Sequence, residues 1–106
     1  MSTPIPAALL PIWQRNLPQL RDRVALLQHA AEQLSQTRTL DAELRAEALG
    51  LAHKLAGSLG MFGYKAATQH AREIEQALEA AGLPQPERLQ RLVADLVASL
   101  AGALDD

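Results

Sequence analysis

The chain of 106 residues contains no cysteine, which excludes disulfide bonds and thiolate chemistry and leaves the redox compartment open. Aromatic residues are also scarce, with one tryptophan, one tyrosine and one phenylalanine. Because the apolar residues are mostly leucine and alanine with few β-branched ones, the composition favours helix over sheet. The length is that of one domain, 1–106, and we expect a single all-α unit.

Neither sign of charge dominates, since ten Lys and Arg residues stand against twelve Asp and Glu residues, for a net charge of −2. The basic residues are dispersed, so the sequence has no stripe for nucleic acid and no polybasic patch for a membrane. No apolar run approaches the ~18–20 residues of a membrane span, and the first residues do not resemble a secretory signal. We therefore expect a soluble protein, with the cytoplasm as its default location.

Nucleotide-binding and metal-binding motifs are missing as well. The sequence has no Gly-x-x-x-x-Gly-Lys-Ser/Thr phosphate loop and no acid cluster for a metal. Its three histidines form no His-x-x-x-His or Glu-x-x-His pair, so a metal- or cofactor-binding bundle is a minor alternative. We expect no bound metal or cofactor and no ATP-dependent kinase activity.

Apolar residues recur at three- and four-residue spacing in four segments, which predicts four amphipathic helices. The segments cover about residues 18–36, 40–60, 64–81 and 86–104. Prolines set off a further short helix at about residues 7–15, which is expected to cap one end with Ile12 and Trp13 as a plug. Short connections predict an antiparallel up-down-up-down four-helix bundle over about residues 18–104.

The second helix has two contrasting sides at roughly 100° per residue. One side is an apolar stripe of Leu44, Ala48, Leu51, Leu55, Leu59 and Phe62. The opposite side, which we call the glycine trough, consists of Ala46, Gly50, His53, Gly57 and Gly60. Glycine inside a helix costs about 1 kcal/mol relative to alanine, so repeated glycine around one polar residue suggests that another molecule approaches it closely.

A neutral, exposed imidazole is a nucleophile through its unprotonated nitrogen and can carry a phosphoryl group. The alternative is an ordinary surface histidine on a solvated helix face. The segment His53-Lys54-Leu55-Ala56-Gly57, followed by Gly60, Phe62-Gly63 and Ile74-Glu75, resembles the histidine-containing phosphotransfer domain of bacterial phosphorelays. The resemblance is detailed over about residues 40–80, and the bundle pattern extends it to the whole chain.

The resemblance implies that His53 exchanges a phosphoryl group with the aspartate of a response-regulator receiver domain, which would supply the Mg²⁺. Gly57, one turn after His53, gives the partner room, and Glu75 is placed to hydrogen-bond the imidazole. Lys54 is expected to reach a phosphoryl oxygen, with a solvated lysine as the alternative. Many family members have lysine directly before the glycine, where this chain has Ala56. The expected docking residues are Gly50, Ala56 and Gly60.

Two classes of function therefore remain open. A phosphocarrier would serve receiver domains or a hybrid sensor histidine kinase, and since one histidine suffices we expect a monomer. A helical adaptor would bind receiver domains without carrying phosphate. His70 lies on the stripe side of its helix, where we expect a partly buried structural residue, with support of the His53 site as the alternative.

Overall fold

The computed structural model describes residues 5–100 and 103–104. A short 3₁₀ turn precedes four α-helices, and no strand occurs within those residues. The turn covers Ala7–Leu9, and the helices are α1 (Leu10–Thr37), α2 (Ala42–Met61), α3 (Lys65–Glu79) and α4 (Pro86–Ser99). The all-α prediction is confirmed.

Each helix packs against two neighbours around a common core. The α1 helix contacts α2 and α4, and α3 contacts the same two helices. Since short turns over residues 38–41, 62–64 and 80–85 connect consecutive helices, each helix runs antiparallel to the next. The predicted four-helix bundle is therefore confirmed. In the part of the chain that the structure describes, no helix is both long and apolar enough to cross a bilayer.

The N-terminal segment differs from the predicted separate capping helix over about residues 7–15. The α1 helix is continuous from its first residue and carries Pro18 in its interior. Proline inside a helix removes a backbone hydrogen bond and costs about 3 kcal/mol. Trp13, Leu17 and Leu20 lie on both sides of Pro18 at helical spacing, and all three are buried. Burying each of these side chains stabilises the fold by about 1.5–3 kcal/mol. The three together therefore outweigh the cost of keeping Pro18 inside a continuous helix.

The α2 helix has the two faces that its periodicity predicts. The buried stripe residues are Ala48, Leu55, Leu59 and Phe62, with Leu44 and Leu51 half-buried beside them. The glycine trough is exposed along its whole length, at Ala46, Gly50, His53, Gly57 and Gly60. The trough therefore runs along the solvent side of α2, opposite the core.

The three aromatic side chains form one cluster where the start of α1 meets the turn between α2 and α3. The Trp13 ring lies edge-on to Phe62, with centroids 5.0 Å apart, and stacks on Tyr64 at 5.1 Å. Trp13 and Phe62 are buried, whereas Ile12 is 38% exposed. The predicted end plug is thus confirmed for Trp13 but not for Ile12.

We expect Trp13→Ala to lower the free energy of unfolding by about 3–5 kcal/mol, because it removes a buried ring that packs against two others. Urea denaturation followed by far-ultraviolet circular dichroism measures the change. The neighbouring substitution Ile12→Ala is the control and should cost about 0.5–1 kcal/mol, since its side chain is partly in solvent already. Equal losses at the two positions would contradict this account of the aromatic cluster.

Candidate functional site

His53 lies in the middle of α2, with 75% of its side chain exposed to solvent. Its Nδ1 atom is 2.7 Å from Oε2 of Glu75, which α3 contributes. The Glu75 side chain is only 23% exposed, so α3 holds this carboxylate against the flank of α2. The structure thus brings together two of the residues that the sequence nominates for the site.

This hydrogen bond determines which imidazole nitrogen is available for chemistry. A carboxylate offers only acceptors, so Nδ1 of the neutral imidazole carries the proton and donates it to Glu75. The lone pair is then on Nε2, and within the described residues no group hydrogen-bonds to that atom. The arrangement presents a nucleophilic nitrogen to solvent on a ring whose orientation Glu75 holds.

The glycines beside His53 are not required by the packing of the chain itself. A Cβ atom added at Gly50 or Gly57 would meet nothing within 4 Å. At Gly60 an added Cβ would lie 3.7 Å from Oγ1 of Thr68, which is ordinary van der Waals contact. None of the three has the positive φ that favours glycine. Because alanine is the better helix former, the missing side chains point to a molecule that approaches from outside.

Ala56 does not share this exposure. Only 7% of its surface is accessible, and it belongs to the hydrophobic core. It follows His53 by three residues, which places it about 60° around the helix from His53, on the side opposite Gly50. Gly50 has the same angular offset and is exposed, so the burial of Ala56 comes from packing on its side of α2. The prediction that Ala56 forms part of the docking surface is therefore wrong, and the exposed small residues are those of the glycine trough.

Two exposed side chains flank the trough. Lys54 lies about 100° around α2 from His53, and it makes no salt bridge with any residue the structure describes. Met61, which the sequence analysis did not single out, is 56% exposed and follows Gly57 by one helical turn. That i, i+4 spacing was a signal available in the sequence. Met61 lies about 80° around α2 from His53, so Lys54 and Met61 are on the same edge of the trough, to which they add a cation and an apolar side chain.

The other two histidines lie apart from this site. His29 is exposed on α1, and His70 is half-buried on α3 with Nδ1 buried and unpaired. His70 precedes Glu75 by five residues, which places it about 140° away around α3. Among the described residues, no group of three His, Asp or Glu side chains is arranged to hold a metal ion.

An exposed histidine on a helical bundle, held by an acid on the next helix and bordered by glycines, is typical of a phosphohistidine carrier. Comparison with known protein families agrees. The Hpt domain family matches residues 11–103, which is most of the chain. The chain therefore belongs to the Hpt domain family, whose members are histidine phosphotransfer carriers of phosphorelays and not kinases.

The chain is also similar to Protein RcaC of Microchaete diplosiphon, with 37% identity over 92 residues. The match covers 87% of this chain but 13% of that protein, so the chain spans about 13% of the relative's length. No solved structure matches the chain. The similarity therefore concerns this module and not the whole relative.

We expect neutral His53 to be predominantly the Nδ1–H tautomer, because the Glu75 carboxylate accepts that proton. Long-range ¹H–¹⁵N correlation spectra in alkaline buffer distinguish the two tautomers. In Glu75→Ala the population should shift toward the Nε2–H form, while the exposed His29 gives an internal reference for an unconstrained ring. Identical His53 spectra in the two proteins would show that Glu75 does not select the tautomer.

We expect Gly57→Ala to raise the free energy of unfolding by about 0.5–1 kcal/mol, because the added methyl group favours the helix and meets open space. Urea denaturation measures the gain. The reverse substitution Ala46→Gly, on the same exposed face, is the matched control and should lower the stability by a similar amount. A loss of stability in Gly57→Ala would mean that this glycine serves the fold rather than a partner.

Proposed function

We propose that His53 is the phosphoryl-carrying residue of a phosphorelay intermediate, which accepts a phosphoryl group from the aspartate of a receiver domain and passes it to another. The observation that carries the proposal is the exposed imidazole whose Nδ1 is engaged by Glu75, which leaves Nε2 as the reactive atom. Membership of the Hpt domain family supports the same chemistry.

The transfer step needs little from this chain beyond position. The Nε2 lone pair of His53 attacks phosphorus in line, the N–P bond forms, and the P–O bond to the receiver aspartate breaks with its electron pair leaving on the carboxylate. No proton has to depart, since Nδ1 keeps its hydrogen and the ring gains positive charge. The Glu75 carboxylate, 2.7 Å from Nδ1, is placed to stabilise that charge. The reverse step returns the phosphoryl group by the same path.

The glycine trough supplies the approach. Gly50 and Gly57 present backbone without side chains on both sides of His53, so a receiver can bring a recessed aspartyl phosphate close to Nε2. Met61 offers an exposed apolar contact at one end of the trough. Lys54, as a flexible cation beside the imidazole, is suited to a phosphoryl oxygen or to the acidic rim of the receiver.

The remaining chemistry belongs to the partner in this proposal. A receiver domain, free or within a hybrid sensor histidine kinase, would contribute the Mg²⁺ and most of the electrostatic stabilisation of the transferring group. The carrier would then work as a monomer that binds each receiver transiently, without a cofactor of its own.

The test is phosphoryl transfer from receiver domains of the source organism charged with acetyl phosphate and Mg²⁺. The wild-type chain should acquire a phosphoryl group that is labile in acid and stable in base, as a phosphohistidine is, and His53→Gln should acquire none. His29→Gln, at an exposed position away from the site, is the matched control and should be labelled normally. Binding of receivers without labelling of the wild-type chain would favour the adaptor function instead.

We expect Gly57→Ala to slow phosphoryl transfer while it stabilises the fold, because the new methyl group occupies space that the receiver needs. Single-turnover transfer from a charged receiver gives the rate, and the urea measurement on the same sample gives the stability. A slower transfer rate together with a higher free energy of unfolding would assign Gly57 to docking and not to stability of the fold. An unchanged transfer rate would place the receiver elsewhere on the molecule.

A further inference from the structure

Arg45, in the first half of α2, binds the end of α3 through three backbone carbonyl groups. Its Nε donates to the carbonyl oxygen of Leu78 at 2.9 Å. One terminal nitrogen donates to Ala80 at 2.8 Å and to Gly82 at 2.7 Å. The residue is half-buried, and the bond to Leu78 is partly shielded from water, whereas those to Ala80 and Gly82 are exposed.

At the end of α3 the backbone N–H of Ala80 donates to the carbonyl oxygen of Gln76, and Arg45 supplies the donor for the carbonyl oxygen of Leu78. The final four C=O groups of a helix have no partner within the helix. The backbone leaves helical geometry at Ala80, with ψ of 154°, and turns through Gly82 at a φ of +78°. The planar guanidinium of Arg45 binds one carbonyl of the last turn, that of Leu78, together with those of Ala80 and Gly82 just beyond the helix. Its charge complements the negative end of the helix dipole.

Arg45 and His53 belong to the same helix, and Leu78 and Glu75 belong to its neighbour. Eight residues of α2, or about 12 Å of helix, separate Arg45 from His53. On α3, Leu78 follows Glu75 by three residues, which is less than one turn. The Arg45 contacts and the hydrogen bond from His53 to Glu75 therefore form two successive polar links between α2 and α3.

The start of α3 is held by the short turn after α2, where the backbone N–H of Tyr64 donates to the carbonyl oxygen of Leu59 at 3.0 Å. Gly60 of α2 approaches Thr68 of α3, so the two helices are close there. Between that approach and the His53 bond, helical spacing places Ala56 on α2 and Ala71 on α3, and both are buried. Alanine methyl groups form shallow ridges, which resist sliding of one helix along another less than leucine side chains do.

We infer that Arg45 is a positioning residue, which holds the C-terminal end of α3 against α2 so that the Glu75 carboxylate meets Nδ1 of His53. The inference rests on the proposed function for its effect on transfer. Its effect on the imidazole itself does not depend on any partner. Arg45 would act on the reactive nitrogen only through Glu75.

The test compares Arg45→Gln, Arg45→Lys and the control Arg91→Gln, which removes one positive charge from an exposed position on α4. In Arg45→Gln we expect a smaller Nδ1–H population at His53 and phosphoryl transfer slower by about tenfold, as a displacement of a fraction of an ångström would cause. Arg45→Lys should restore part of both, since an ammonium group reaches at least one carbonyl. Arg91→Gln should change neither.

A double-mutant cycle with Glu75→Ala shows whether Arg45 acts through Glu75. Once the carboxylate is gone, Arg45→Gln should have no further effect on the His53 tautomer or on the transfer rate. An Arg45→Gln protein that unfolds at lower temperature yet keeps the wild-type tautomer and transfer rate would overturn the inference. Arg45 would then stabilise the C-terminus of α3 without positioning Glu75.

The tautomer measurement keeps this inference separate from the proposed function. If the wild-type chain accepts no phosphoryl group from any receiver, the function fails, but a shifted His53 tautomer in Arg45→Gln would still support the positioning role. Should Arg45→Gln fail to fold, Arg45→Met takes its place, because methionine keeps an apolar stem and has no donor. A wild-type tautomer in that variant together with an unchanged transfer rate would count against the inference.

Discussion

A single hydrogen bond, from Nδ1 of His53 to Oε2 of Glu75 at 2.7 Å, connects the fold of this chain to its chemistry. It requires α2 and α3 to lie side by side in a defined register. It leaves the lone pair of the neutral ring on Nε2, to which none of the described residues hydrogen-bonds. A histidine on an isolated helix would sample both tautomers and several ring orientations. The bundle is therefore needed less to create a pocket than to hold an acid from one helix against an imidazole from another.

The architecture was accessible from the sequence because it depends on periodicity. The stripe from Ala48 to Phe62 and the positions of the connecting turns predict a four-helix bundle, and the structure contains one. The boundary at Pro18 was not accessible in the same way. Local helix propensity favours a break at Pro18. The helix continues because Trp13 and Leu17 are buried against residues that are distant in sequence, and that packing outweighs the local preference.

Some features of the site can also be predicted from the sequence, and others cannot. Exposure of His53 and of the neighbouring glycines follows from helical geometry and from the position of the core, so the sequence predicts it. The burial of Ala56 does not follow from helical geometry, because Gly50 lies at the same angle from His53 on the other side and is exposed. It depends on which side of α2 the rest of the bundle covers. The pairing with Glu75 came from family resemblance, since spacing within one helix cannot say which residue of another helix lies opposite. The contacts of Arg45 with three carbonyls had no sequence signal, because their acceptors are backbone atoms.

The aromatic cluster has a consequence for how this molecule can be observed. The chain has one tryptophan, and its ring packs on Phe62 and Tyr64, the residues that follow Met61 at the end of the trough. Its emission reports on the environment of that end of the bundle, without competition from any other indole. The sequence thus contains an intrinsic fluorescent probe next to the surface where a receiver domain is proposed to bind, and no dye has to be attached.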